Sequence, residues 1–275
     1  MSVRNNVYLA SLLILALSLP SALCAAPNRG ERTGKANFSN KFEKKWSSRP
    51  LKIRQQNLSK SVSGTFPSSS VVAKSAERFY KALEYLPPDL IKKSGLKYVT
   101  FMRNLKLNGQ PAGGAAGGNT IYLPPDFEEK TVYHEFFHIF DPHGKSEKWT
   151  KLNPPGFRYT GNQFYARKFS KKEQRQVKKN IRKDDVKDAF VTTYAMSNQR
   201  EDRAETFAFM IVEGKSFLKR TKNPSMKMKM EFIMDLFIQR KLLSKEFWDR
   251  HLTENSKRTD VTMTNHLQMK NDPTG

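Results

Sequence analysis

The run His134-Glu135-Phe136-Phe137-His138 sets two imidazoles four residues apart with a carboxylate between them. On a helix, side chains at i and i+4 lie one above the other, which is the spacing two ligands of one tetrahedral zinc ion require. Glu135 then lies where a carboxylate can take a proton from a water activated by the metal. Three fixed residues make a short motif, and a third ligand separates a site from an accident, because a catalytic zinc keeps three protein ligands and one open position. His143 is one source, although Pro142 and Gly144 mark a helix that has already ended. A better source lies downstream, where Asn198 is a good N-cap and Gly214 a good stop for a helix over 199–213. Glu201 and Glu205 share one face of that helix, and Ala208 and Val212 continue the face toward a core. Taken alone, Glu201 could belong to the cap and Glu205 to a surface ion pair. Beside His134 and His138, carboxylates on a buried helix need a cation or hydrogen-bond donors. One can bind the metal while the other accepts from a ligand histidine, and spacing does not say which does which.

These residues need elements to hold them. Asp126 with Glu129 predicts a capping box for a helix over 127–140. At about 100° per residue, Val132, Phe136, Ile139 and Phe140 form one apolar stripe and the two histidines face away from it. Val72, Ala76, Phe79, Tyr80 and Leu83 recur at helical spacing until Pro87-Pro88. Residues 96–102 and 119–123 have strand composition, and the glycine run 113–118 between them lacks both phosphate-binding glycine frameworks and reads as a flexible hairpin beside a groove. The second strand, through Asn119, Ile121 and Tyr122, is expected to pair with an extended substrate along its edge. Residues 166–188 read as an exposed charged helix. The stretch MKMKMEFIMDLFIQRKLLSKEFWDRHL from Met226 predicts one or two packed helices, its methionines acting as core filler. The fold class that follows is α+β: a small catalytic domain with a short mixed sheet, an active-site helix, a second ligand-bearing helix and C-terminal helices.

The 275 residues carry 49 Lys+Arg against 26 Asp+Glu, a net charge of +23 that calls for an anionic surface, an acidic partner or nucleic acid. The N-terminus narrows that choice. Val7 to Leu19 is apolar, shorter than the roughly 20 residues a bilayer span needs, and is followed by small residues, so residues 1–24 predict a signal peptide cleaved near Cys24 and no membrane span afterwards. An exported chain is a poor genome-binding protein, and no zinc-finger spacing, RNP strand or helix-turn-helix is present. Cys24 is the only cysteine, which excludes a disulfide framework. Residues 25–69 are polar and basic and read as a mobile or loosely docked arm, 70–252 as the catalytic domain, and 253–275 as a polar tail. The Lys/Arg excess gathers in the arm, the 167–183 stretch and the C-terminal helices, whereas Glu128, Glu129, Glu135, Asp141, Glu201, Asp202 and Glu205 make the catalytic blocks acidic.

Tyr194, Asn198 and Glu201-Asp202-Arg203-Ala204-Glu205-Thr206-Phe207 resemble the Tyr…Asn…Glu-x-x-Ala-Glu-x-Phe signature of the anthrax lethal factor-like gluzincins, which include the secreted Pro-Pro endopeptidases. With His134 to Asp141 and Asn153-Pro154-Pro155-Gly156-Phe157, the chain is also similar to a group of secreted bacterial zinc-binding metallopeptidases, over roughly residues 70 to 215. The resemblance implies one catalytic zinc ion held by His134, His138 and Glu201, with Glu205 behind a ligand histidine, Glu135 as general base, Tyr194 at the developing oxyanion, and a protein or peptide substrate. Asp202 and Arg203 replace the aromatic pair often found between the two glutamates, which leaves the packing of that helix open. Two other readings fit the charge: a basic envelope- or polymer-binding protein with structural zinc or none, and a hydrolase of cell-wall peptides.

Overall fold

The computed structural model describes residues 51–55, 60–141, 146–161 and 184–253. The expected signal segment, the arm up to residue 50, His143, the charged stretch through 183 and the tail from 254 lie outside the described residues.

Two short sheets and a set of helices make the α+β fold. The main sheet has the order β1-β3-β7-β6: Lys52–Ile53 (β1), Tyr98–Phe101 (β3) and Thr120–Leu123 (β7) run parallel, and Ala115–Gly117 (β6) pairs antiparallel with β7. A second antiparallel sheet joins Val62–Thr65 (β2), Arg103–Leu107 (β4) and Gln110–Pro111 (β5). Gly118, at φ +59°, makes the tight β6–β7 turn, a left-handed conformation glycine adopts without a Cβ penalty. The glycine run thus becomes a hairpin whose first arm is a sheet strand.

Part of the expected arm is built into the fold. Leu51 is buried in the core, β1 hydrogen-bonds to β3, and β2 pairs with β4, so the polar composition before residue 69 conceals two strands. Strand β7 differs from expectation as well. It was read as an edge open to substrate, yet β3 occupies one side and β6 the other, Ile121 and Tyr122 are buried, and the Asn119 carbonyl accepts from the Lys97 and Tyr98 N–H groups. The exposed edge on this side of the sheet belongs to β6.

The helices are Ser69–Leu83 (α1), Pro88–Ser94 (α2), Glu129–Phe140 (α3), Glu147–Thr150 (α4), Asp184–Lys187 (α5), Gln199–Glu213 (α6), Pro224–Gln239 (α7) and Lys245–Thr253 (α8). Helix α3 starts two residues later than its sequence suggests and has no capping box: Glu128 is the N-cap, without a side-chain bond. The reason is local. Arg78 of α1 donates to the Pro125 and Phe127 carbonyls while Phe127 enters the core, which holds 125–127 in a turn, and Glu129 accepts instead from the Tyr133 hydroxyl. Phe136 and Phe137 then pack inward, Phe137 against Phe207 of α6 and Phe237 of α7.

Helix α6 begins and ends where Asn198 and Gly214 place it, with the Asn198 side chain accepting from the Arg200 and Glu201 N–H groups. Its packing answers what Asp202 and Arg203 do. Both are buried, and each is paired: Arg203 donates to Asp141 at the end of α3 at 2.8 Å, and Asp202 Oδ2 accepts from Lys229 of α7 at 2.8 Å, from Trp149 Nε1 at 2.9 Å and from the Tyr159 hydroxyl at 2.7 Å. Lys229 parts from its exposed neighbour Lys227. It is fully buried, donates to the Ala189 carbonyl, and stands 3.5 Å from the Phe190 ring centroid. Burial pushes Asp202 up and Lys229 down from their ordinary pKa values, and the contact between them opposes both shifts.

Removing one member of a buried pair leaves the other desolvated and uncompensated. Lys229→Met should lower the unfolding free energy by about 3–5 kcal/mol, read as a lower urea midpoint with little change in slope. An unchanged midpoint would show that Trp149 and Tyr159 satisfy Asp202 unaided.

Candidate metal centre

Helices α3 and α6 are the most extensively packed pair of elements, and the site lies along their seam. His134 Nε2, His138 Nε2 and Glu201 Oε2 face one another at 3.0 Å (His134–Glu201), 3.2 Å (His138–Glu201) and 3.1 Å (His134–His138). These three side chains are the grouping among the described residues whose donor atoms can hold a metal ion. A tetrahedral ion with bonds of about 2.0–2.1 Å needs donors about 3.3–3.4 Å apart. The triangle meets that demand with an opening of a few tenths of an ångström, and its two nitrogens and one carboxylate oxygen are the donor types zinc takes.

Glu205, one turn beyond Glu201, takes a different place. Its Oε1 accepts from His134 Nδ1 at 2.8 Å, its Oε2 from the Thr192 hydroxyl at 2.8 Å, and Lys130 Nζ lies 3.9 Å away. The geometry therefore separates the two glutamates that spacing left interchangeable: Glu201 meets both Nε2 atoms, and Glu205 fixes the back of one ring.

Electrostatics follow from burial and proximity. Burial works to lower the His134 pKa, but hydrogen bonds to Glu201 and Glu205 outweigh it and hold it up at about 10. Burial also works to raise Glu201 and Glu205, and their hydrogen bonds to the histidines hold both below the usual carboxylate range. His138 is lowered, chiefly by burial. The seam thus favours positive charge between the carboxylates, which a proton or a metal ion can supply. Glu135 differs: burial, opposed by the charges of His134 and Arg200, pushes it up to about 7.

Glu135 lies under a glycine the sequence did not single out for chemistry. A Cβ at Gly114 would fall 2.6 Å from Glu135 Oε1 and 2.8 Å from Thr131 Cγ2, so only glycine lets the chain before β6 lie against this carboxylate. Tyr194, in the turn Tyr194–Met196, places its ring 5.9 Å from that of His134. The turn is tied to Glu205 through Thr192, whose hydroxyl also accepts from the Ala195 N–H. Ile121 and Tyr122 do not join the site as strand-edge residues. Thr192 and Lys130 were missed because nothing in local spacing connects them to Glu205. Gly114 carried a signal, the glycine run itself, without a direction.

In this α+β domain one helix brings two histidines and a second brings a glutamate to a grouping whose donors could hold one metal ion. Residues 125–257 match the model of a family described as "Putative zinc-binding metallo-peptidase", a segment that takes in α3, α6 and every site residue named above except Gly114. A solved structure described as that of a putative zinc-binding metallo-peptidase from Bacteroides caccae aligns with a TM-score of 0.48 at 14% identity, over 86% of this chain and 96% of that one. That likeness is too distant to transfer any detail. No curated protein matches the chain.

Glu201→Ala should abolish stoichiometric zinc binding. Glu205→Ala should weaken it about 10–100-fold, measured by competition with a chromogenic chelator. Equal losses in the two variants would contradict the division between them.

Proposed function

We propose that this chain is a secreted zinc endopeptidase of the gluzincin type, which hydrolyses protein or peptide substrates with one zinc ion held by His134, His138 and Glu201. The observation that carries this reading is the donor triangle, two buried histidines and a partly buried glutamate, with a separate carboxylate, Glu135, beside it. The printed description of the family matched over 125–257 supports both the metal and the reaction class, and residues 1–24 support export.

Zinc bound there supplies a Lewis acid that makes water acidic enough to ionise near neutral pH and polarises the scissile carbonyl. The remaining work falls to side chains. Glu135, a carboxylate beside the donor triangle, takes the proton from the attacking water and returns it to the leaving amine. Gly114 keeps that carboxylate in place by leaving it room. Tyr194 donates its hydroxyl to the carbonyl oxygen as negative charge develops there. Glu205 holds His134 in the tautomer whose Nε2 lone pair faces the ligand triangle, and Thr192 and Lys130 hold Glu205. An extended substrate then pairs with the outer edge of β6, the strand that leads away from Gly114, rather than with β7.

Glu135→Gln should retain zinc and lose hydrolysis of a peptide library by about 10²–10⁴-fold. Tyr194→Phe should lower kcat by about 10²–10³-fold, with KM little changed. Gly114→Ala should keep the metal yet cost about 10²-fold in kcat, as misplacement of a reacting group by about 1 Å does. Full hydrolysis by the Glu135 variant would sink the mechanism.

A further inference from the structure

The segment that carries Thr192 and Tyr194 also lines a cavity of about 430 Å³, whose other walls come from α5 and the turn Gly214–Lys222. Four cations line it, Lys187, Lys219, Arg220 and Lys222, against one acid, Asp188. Arg220 is already fixed: Glu213 accepts from its Nε and Nη2 at 2.8 and 2.7 Å, which hold the guanidinium in one plane. The three lysines are exposed, and none of their ammonium groups forms a hydrogen bond or ion pair among the described residues. Two contacts tie the cavity wall to Glu205, behind the His134 ring. Thr192 is both a wall of it and the donor to Glu205, and the Phe209 ring is covered by Lys130 at 4.9 Å and by Arg220 at 5.2 Å, so cations run from Glu205 to the cavity.

We propose that this cavity is a substrate subsite for acidic residues, so that the enzyme selects peptides carrying Asp or Glu close to the scissile bond. The inference rests on the peptidase reading above. Its chemistry follows from the donors. Three separate, exposed ammonium groups are mobile point charges and do not converge on one small ion, whereas they suit several carboxylates spread along a chain. Thr193 adds a neutral residue to the lining. The acidic character of the metal centre itself would repel such a substrate, and the cations beside it reverse the local field on one side only, which sets the direction in which an acidic segment lies.

Two measurements on the full-length protein test the proposal. In the first, wild type is assayed on paired peptides that differ only in Glu or Gln near the cleaved bond. The Glu peptide should show about tenfold higher kcat/KM at low salt, mostly through KM, with the gap closing as salt rises. Lys219→Glu/Lys222→Glu should remove that gap and leave the Gln peptide unchanged, while Lys74→Glu/Lys106→Glu, an equal charge change elsewhere, should preserve it. Equal cleavage of both peptides by wild type, or an equal loss on both in the Lys219/Lys222 variant, overturns the proposal. In the second, a labelled poly-glutamate peptide is titrated into Glu135→Gln protein. Binding lost on adding the Lys219/Lys222 change supports the subsite even if no peptide is cleaved, an outcome that would count against the peptidase reading alone. Binding that survives the change, or that inorganic phosphate displaces better than free poly-glutamate does at matched ionic strength, overturns the subsite.

Discussion

Helix α6 cannot turn about its own axis without exposing a buried charge to an apolar wall. Successive residues on a helix point about 100° apart, and within five residues α6 sends Glu201 and Glu205 to the histidines of α3, Asp202 to Lys229 of α7, and Arg203 to Asp141 at the end of α3. Each of those charges costs several kcal/mol to desolvate and is tolerable only in its pair. The pairs therefore act less as a source of stability than as a register: rotation or sliding of α6 that improved one would break the others. The short distances among His134, His138 and Glu201 follow from that register, since the two histidines ride on α3 and the glutamate on α6.

The same arrangement sets the electrostatics. Three carboxylates, Glu135 and Glu205 buried and Glu201 partly so, surround two imidazoles, and their fields do not act alike. Glu201 and Glu205 touch the rings directly, which keeps them ionised and makes His134 hold a cation or a proton strongly. Glu135 lacks such a contact and is pushed toward neutrality by burial, so its proton exchanges in the range where the others have none to give. One cluster thus contains carboxylates of two kinds, and the difference arises from which of them reaches an imidazole.

Much of this was legible in the chain. The i, i+4 histidines, the Asn198 cap, the Gly214 stop and the shared face of Glu201 and Glu205 are local patterns, and local patterns survive folding when one helix carries them. What the sequence concealed depends on contacts between distant segments. Whether β7 is an edge or a centre strand depends on where β6 and β3 settle, and 119–123 read the same in either case. Lys229 sits among lysines that stay in water and differs from them only by facing Asp202. The capping box failed because Arg78, some fifty residues upstream, claims the carbonyls just ahead of α3. Leu51 and β1 were hidden by a polar context that a strand of two residues cannot outweigh. Gly114 looked like slack in a hairpin, and its role is the opposite, a close approach that a larger residue would forbid.

Lys229 also bears on when the centre can exist. It lies well downstream of both ligand-bearing helices, so a chain emerging from its N-terminus presents His134, His138 and Glu201 before the counter-charge to Asp202 has appeared. Until α7 docks, Asp202 has the Trp149 and Tyr159 donors but no ammonium partner, and one of the pairs that fix the rotation of α6 is missing. A centre assembled in this way is complete only once α7 has docked, and a chain lacking α7 would carry His134, His138 and Glu201 without the ammonium group that pairs with Asp202.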